Sequence, residues 1–106
     1  MNKEQQLNLN IARLVYPSAE EYIFEGGHAL AKEKGRDIWD AVNYTDDWND
    51  LMPLIIEHKI NLEWLGDIWK ADDFYGMIRF DNGNPQIALA ECLREVLKEK
   101  NNGYEI

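Results

Sequence analysis

Apolar residues recur at helical spacing in three separate parts of the chain. In the first part they are Leu7, Ile11, Leu14 and Val15. Polar Asn, Gln and Lys residues fill the other side, so the pattern predicts an amphipathic helix over residues 3–15 that buries the apolar stripe. Pro17 ends this helix, because proline restricts the residue before it to extended backbone angles.

The second part is the longest apolar patch of the sequence. One helical face there is formed by Trp48, Leu51, Met52 and Ile55, and we predict that it packs in the core. Thr45, Asp46 and Asp47 precede it, and each has a short side-chain oxygen that can accept from the free N–H groups of a helix N-terminus. Pro53 has no N–H to donate to the carbonyl of Asn49, so the pattern predicts a kinked helix or two short helical pieces.

The third part closes the chain. Its apolar stripe consists of Leu89, Leu93, Val96 and Leu97. Asn84 is a favoured N-cap and Pro85 a favoured first helical residue, so this helix is predicted to begin there. Gly103 is predicted to end the helix, and residues 101–106 are predicted to form a flexible tail.

The remaining segments carry strand patterns. Strands are predicted at residues 21–25, 38–42, 60–65, 68–71 and 74–80. Turn residues separate several of them, with Gly26-Gly27 after the first, Gly66-Asp67 in a hairpin and Asp81-Asn82-Gly83 after the last. Residues 28–39 fit either one or two helical turns or the second arm of a hairpin.

These elements together predict an α+β fold. A small antiparallel sheet needs a cover for its apolar face, and the three helices are the elements with matching apolar stripes. We therefore predict an α–β–α sandwich in a single domain over residues 1–100.

The composition narrows the classes of partner. The chain has 106 residues, with 20 acidic and 11 basic side chains and a formal charge of −9. This balance disfavours binding to nucleic acid or to an anionic membrane and permits a protein partner with a basic surface. No apolar run is long enough to span a bilayer and the N-terminus lacks the pattern of a signal peptide, so a cytoplasmic location is expected.

Two motifs resemble a known family. They are the run Trp48-Asn49-Asp50-Leu51-Met52-Pro53-Leu54 with Glu57-His58, and Asn84-Pro85-Gln86 with Ala88-Leu89-Ala90-Glu91-Cys92-Leu93. In combination they resemble the phage ABA sandwich domain, a family of small bacteriophage and prophage proteins. The resemblance runs from Asn10-Ile11-Ala12 to about Lys98. It implies an α–β–α sandwich, and it brings no catalytic residue to this chain.

Few residues suggest chemistry. Asp37, Asp40, Asp46, Asp47 and Asp50 crowd one region, and Asp67, Asp72, Asp73 and Asp81 a second. A Mg²⁺ site could use Asp46, Asp47 and Asp50, but helix capping explains these residues without a metal. His28 and His58 stand in no catalytic motif, and the single cysteine, Cys92, excludes an internal disulfide and a Cys-rich zinc site. No cofactor is predicted.

Two functions from different classes follow. The first is a non-enzymatic phage-type protein that binds a basic surface of a host protein in an anti-defence or host-takeover role. Its carboxylates could do so by imitating the phosphate charges of a nucleic acid. Its candidate partner-binding residues are Asp46, Asp47, Asp50, Asp72, Asp73 and Trp69. The alternatives are a small metal-dependent hydrolase, and an accessory protein that forms a homodimer through Trp39, Trp69 and Tyr75.

Overall fold

The computed structural model describes residues 2–35 and 38–101. Within them lie the helices α1 (Lys3–Val15), α2 (Trp48–Glu57) and α3 (Pro85–Asn101). The strands are β1 (Ala19–Glu25), β2 (His28–Glu33), β3 (Trp39–Val42), β4 (Asn61–Trp64), β5 (Trp69–Asp72) and β6 (Arg79–Asn82). The predicted α+β class is confirmed. The predicted helix stop at Gly103 and most of the predicted tail lie outside the described residues.

The strands form two antiparallel sheets of three strands each. Sheet A has the order β1-β2-β3 and sheet B the order β4-β5-β6. The structure thus divides the single sheet of the prediction in two. For residues 28–39 the hairpin alternative is correct, because β2 pairs with β1 across a turn in which Gly26 and Gly27 have φ of 61° and 83°. Such angles favour glycine, since a side chain at positive φ crowds the backbone.

The predicted strand over residues 74–80 is wrong in its position. Residues 73–78 form a closed turn instead, in which the N–H of Asp73 donates to the carbonyl of Ile78 at 3.1 Å. The N–H of Ile78 in turn donates to Oδ1 of Asp73 at 3.0 Å. The strand β6 begins only at Arg79 and includes Asp81 and Asn82, which were predicted to be a turn. The side chain of Asp73 closes this turn by accepting a hydrogen bond. The spacing of apolar residues, from which the strand was predicted, carries no information about such a contact.

Helix α2 is one continuous helix that contains Pro53. The alternative of two short pieces is therefore wrong. The prediction that Trp48 packs in the core is also wrong, because 42% of this residue is exposed at the start of the helix. Leu51 and Ile55 are buried and Met52 is packed against the core as expected. Trp48 is the first residue of the helix, and apolar spacing alone does not distinguish a covered first turn from an exposed one.

The two longer helices lie back to back between the sheets. Helix α1 contacts β1 and β2 of sheet A, helix α3 contacts β5 and β6 of sheet B, and the two helices pack against each other. Helix α2 packs against α3. A helix covered on two sides must bury a wide arc of its surface. Accordingly α3 buries all five residues from Gln86 to Ala90, whatever their position around the helix. None of the helices in residues 2–35 and 38–101 has the length and apolarity that crossing a bilayer demands.

Asn8 is the main departure from the predicted pattern of α1. It was assigned to the polar side of the helix, but it is fully buried. Its Nδ2 donates to the carbonyl of Val42 at 3.2 Å, and its Oδ1 accepts from the N–H of Tyr44 at 2.8 Å. Both ends of the amide are therefore satisfied by the backbone at the end of β3 and just after it. Buried polar groups are tolerated on this condition, because an unpaired one costs its full desolvation free energy.

We predict that Asn8→Ala lowers the free energy of unfolding by about 2–4 kcal/mol, because two buried backbone groups lose their partner at about 1–2 kcal/mol each. Urea denaturation followed by tryptophan fluorescence measures the change. The matched control is Asn10→Ala on the same helix, where the amide oxygen only accepts from the side chain of Gln6. That variant is expected to stay within about 0.5 kcal/mol of the wild type. Equal losses in the two variants would contradict this role of Asn8.

Candidate functional site

Four aspartates surround the start of α2. Oδ1 of Asp47 accepts from the N–H of Asn49 at 2.9 Å, which makes Asp47 the N-cap among the three candidates, Thr45, Asp46 and Asp47, that the sequence offers. Oδ2 of Asp50 accepts from the N–H of Asn43 at 2.8 Å. Asp46 is exposed and Asp40 lies at half-buried depth in β3. We refer to Asp40, Asp46, Asp47 and Asp50, together with Glu33, as the acidic face.

Gln86 of α3 holds the backbone beneath these aspartates. We assign its amide so that the oxygen accepts from the N–H groups of Asp46 and Asp47, at 3.2 and 3.1 Å. Gln86 and Asn8 are the two buried polar residues of the described chain, and both bind the segment 42–47. The carboxylates of Asp46 and Asp47 are thus carried on a backbone that is hydrogen-bonded to both central helices.

Two tyrosines mark where the acidic charges converge. The hydroxyl of Tyr44 is hydrogen-bonded to that of Tyr16. The pKa of Tyr16 is raised, first by burial and then by the charge of Asp40, with smaller contributions from Asp50 and Glu33. The pKa of Tyr44 is raised further, mainly because burial penalises its charged form. Every ionic side chain that acts on the pair carries negative charge, and both phenols stay neutral at physiological pH.

Four of the five carboxylates of the acidic face belong to one acidic segment of the chain. Residues 38–58 contain no Lys or Arg, while they include Asp40, Asp46, Asp47, Asp50 and Glu57. Asp37 also belongs to this part of the sequence, but it lies outside the described residues. Four negative charges of the acidic face thus have no Lys or Arg within their own segment of sequence, and such charges contribute strongly to the field at a surface.

The second group of predicted residues is arranged differently. The ammonium group of Lys70 lies 2.7 Å from Oε1 of Glu63 and 3.8 Å from Oδ2 of Asp72, on the outer face of sheet B. Its hydrogen bond lowers the pKa of the Glu63 carboxyl, and Arg79 lowers the pKa of Asp81 in the same way. Acidic and basic charges on this face are thus locally paired. They leave no excess comparable to that of the acidic face.

The other members of that group have local contacts. The carboxylate of Asp73 closes the turn 73–78, and Trp69 is half-buried with its ring centroid 5.0 Å from that of Trp64. Asp72 and Asp73 follow β5, whereas Asp46, Asp47 and Asp50 lie at the start of α2. Trp39 belongs to sheet A and Trp69 to sheet B, so the aromatic residues predicted to form a dimer face are divided between the two sheets.

The described residues do not assemble a metal site. Within 2–35 and 38–101, no group of three or more His, Cys, Asp or Glu side chains is placed to hold a metal ion. Of the three aspartates suggested for Mg²⁺, Asp47 and Asp50 bind backbone N–H groups of different residues, and Asp46 is exposed. Capping, which the sequence also indicated, explains the position of Asp47.

The structure contains a second candidate site that the sequence analysis did not predict. It is a cleft of about 760 Å³ between the end of α2, the turn 73–78 and the last turns of α3, which we call the α2–α3 cleft. Its lining includes Glu57, Lys59, Phe74, Tyr75, Val96 and Glu99. This volume lies within the range of sites that bind small ligands or single side chains of a partner.

His58 is one of the residues that line the cleft, and its side chain is 8% exposed. Its Nδ1 lies 2.7 Å from Nζ of Lys100, and its Nε2 lies 3.1 Å from Oε2 of Glu57. An ammonium group can only donate, so Nδ1 accepts and the proton of the neutral ring is on Nε2, where it donates to the carboxylate. Both ring nitrogens are engaged, and the imidazole joins the end of α2 to the end of α3.

The turn beside the cleft exposes large apolar side chains. Phe74, Tyr75 and Met77 are 66%, 77% and 75% exposed, although residues 73–78 are held by hydrogen bonds at both ends of the turn. The rings of Phe74 and Tyr75 meet edge to face, with centroids 5.2 Å apart. Exposed apolar groups on a rigid loop are typical of an interaction surface. A run of Phe-Tyr-Gly-Met after two aspartates could have suggested this, but the same residues also fit a strand.

No protein-family model matches this chain, and comparisons with curated proteins and with solved structures return no significant match. The resemblance to the phage ABA sandwich domain therefore stays a prediction, and the residues of the two sites carry the functional reasoning.

Lys59 is held in an unusual conformation at the rim of the cleft. It is the one non-glycine residue of the described chain at positive φ, at 55°, directly after the C-cap of α2. Glycine is the common residue there, because a side chain in this conformation costs about 1–2 kcal/mol. The ammonium group of Lys59 lies 5.9 Å from the centroid of the Phe74 ring. The strained position thus places a cation on the aromatic wall of the cleft.

We predict that the free energy of unfolding of Lys59→Gly is about 1 kcal/mol higher than that of Lys59→Ala. Urea denaturation of both variants measures the difference. Both variants remove the ammonium group, and only glycine removes the steric cost of positive φ. Alanine is the control that isolates the backbone effect. Equal stability of the two variants would show that Lys59 does not strain the chain.

Cys92 is expected to be chemically inert in the folded protein. It is fully buried, and burial, together with the negative charges of Asp73 and Asp72, raises the pKa of its thiol to about 12. Since the thiolate is the reactive form, a chromogenic disulfide reagent at mildly alkaline pH should label the native protein at least about 100-fold more slowly than the protein unfolded in urea. Equal labelling rates would mean that the part of α3 around Cys92 opens readily to solvent.

Proposed function

We propose that this chain is a phage-type accessory protein without catalytic function that binds a basic surface of a host protein. The acidic face is the binding surface in this proposal. The observation that carries it is that the charges of Asp40 and Asp50 act on the Tyr16–Tyr44 pair, and that both aspartates belong to a segment, residues 38–58, without Lys or Arg.

The physical basis is electrostatic complementarity. A formal charge of −9 attracts a basic partner at long range, and a local excess of carboxylates determines where that partner docks. Carboxylates on a fixed backbone need no reordering when a partner arrives, which reduces the entropic cost of binding. The buried amides of Asn8 and Gln86 hold the segment 42–47, which carries Asp46 and Asp47.

The class of partner follows from the same charges. A surface that spaces carboxylates as a nucleic acid spaces its phosphates would compete for a protein's nucleic-acid-binding face. Such mimicry fits an anti-defence or host-takeover role in the cytoplasm of a bacterial host, which the resemblance to phage proteins supports. Residues Asp72, Asp73 and Trp69 lie outside the acidic face and are not part of the primary contact in this proposal.

The proposal predicts which carboxylates matter. The variant Asp40→Asn/Asp46→Asn should bind a fluorescent Lys- and Arg-rich peptide about 5–10-fold more weakly than the wild type at low salt, because two exposed ion pairs contribute up to about 1 kcal/mol each. Fluorescence anisotropy at rising salt measures the affinity, and the variant should also show a weaker dependence on salt.

The matched control is Glu21→Gln/Glu25→Gln, which removes the same charge from exposed positions of β1. Its affinity is expected to change by less than about twofold. If both double variants weaken binding equally, net charge alone drives the association and the acidic face has no special role. If neither weakens it, the peptide binds elsewhere and the proposal fails.

A further inference from the structure

The α2–α3 cleft is not explained by the acidic face. It lies at the C-terminal end of α2, and the acidic face lies at the N-terminal end of this ten-residue helix. A helix of that length separates its ends by about 15 Å. The two surfaces are therefore distinct, and the function of one does not depend on the other.

The charges of the cleft favour a cationic ligand. Its lining contains the carboxylates of Glu57, Asp73 and Glu99 against the ammonium groups of Lys59 and Lys100. The two lysines already contact the ring of Phe74 and the imidazole of His58. An anion would meet an excess of negative charge here, whereas a cation would gain a carboxylate partner.

The aromatic wall of the cleft, formed by Phe74 and Tyr75, narrows the kind of cation that the cleft can bind. Tyr75 is the most exposed of the three apolar side chains of the turn, and its neighbour Phe74 already has a cation 5.9 Å from its ring centroid. A guanidinium group is planar and weakly hydrated, so it stacks on an aromatic ring while it also hydrogen-bonds to a carboxylate. An ammonium group has no such plane. The apolar floor, which includes Ile78 and Val96, would cover the methylene groups of the same side chain.

From these features we infer that the α2–α3 cleft binds an arginine side chain presented by an extended segment of a partner protein. The guanidinium stacks on Tyr75 and pairs with Glu99 at the mouth of the cleft. The closed turn 73–78 supplies the aromatic wall in a fixed conformation, and the contacts of His58 with Glu57 and Lys100 hold the ends of the two helices together around it.

The experiment uses three capped peptides of sequence Gly-Ser-Leu-X-Leu-Ser-Gly, in which X is arginine, citrulline or glutamate. Citrulline keeps the shape of arginine and removes its charge. Titration of the isotope-labelled full chain, followed by amide chemical shifts, should show saturable shifts with the arginine peptide at residues 57–59, 74–78 and 96–100. The citrulline peptide should bind at least about tenfold more weakly, and the glutamate peptide should cause no saturable shift.

Variants then test the contacts. Tyr75→Ala and Glu99→Gln should each weaken the binding of the arginine peptide at least about fivefold. The matched control is Met77→Ala, since Met77 is 75% exposed in the same turn but does not line the cleft. It should change the affinity by less than about twofold.

Three results would overturn the inference: equal binding of the arginine and citrulline peptides, tighter binding of the glutamate peptide, or shifts that map outside the cleft. An absence of saturable shifts with the arginine peptide would overturn it as well. The variant Asp40→Asn/Asp46→Asn should bind the arginine peptide as the wild type does. Failure of the acidic-face proposal and failure of this inference can therefore be distinguished.

Discussion

Two buried amides determine how the rest of this protein is arranged. Asn8 of α1 and Gln86 of α3 both bind the backbone between β3 and α2, where the chain passes from sheet A to the second half of the fold. Without these partners, the N–H and C=O groups of that segment would be buried and unpaired, which is among the larger penalties a protein core can contain. The link is therefore clamped by both central helices at once.

The clamp has consequences for the layers and for the surface. Because the link is held against both helices, α1 and α3 can pack face to face with one sheet on each outer side, and each helix buries a wide arc. The same clamp orients Tyr44 toward Tyr16 and presents Asp46 and Asp47 on an ordered backbone. The packing of the interior and the charge of the acidic face thus depend on the same contacts.

The surface charge is unevenly balanced as a result. On the outer face of sheet B, cross-strand neighbours such as Glu63 and Lys70 neutralise each other. Around the start of α2 the carboxylates instead bind backbone N–H groups or face solvent, and no basic residue occurs between residues 38 and 58. At the other end of α2, a rigid turn and the strained Lys59 build an aromatic cleft. Helix α2 therefore separates two surfaces of different chemistry.

Local sequence patterns were sufficient to predict the three helical segments, the cap at Asn84 and the α+β class, and they limited the cap of α2 to Thr45, Asp46 or Asp47, because helical periodicity and capping depend on residues close in the chain. The composition established the excess of negative charge. Contacts between distant parts of the chain establish that the strands form two sheets, that Asn8 is buried, that Trp48 is exposed, and that residues 73–78 form a turn beside a cleft. These features depend on groups far apart in sequence, such as the amide of Asn8 and the backbone of Tyr44, and no local pattern specifies which distant partner a polar side chain will meet.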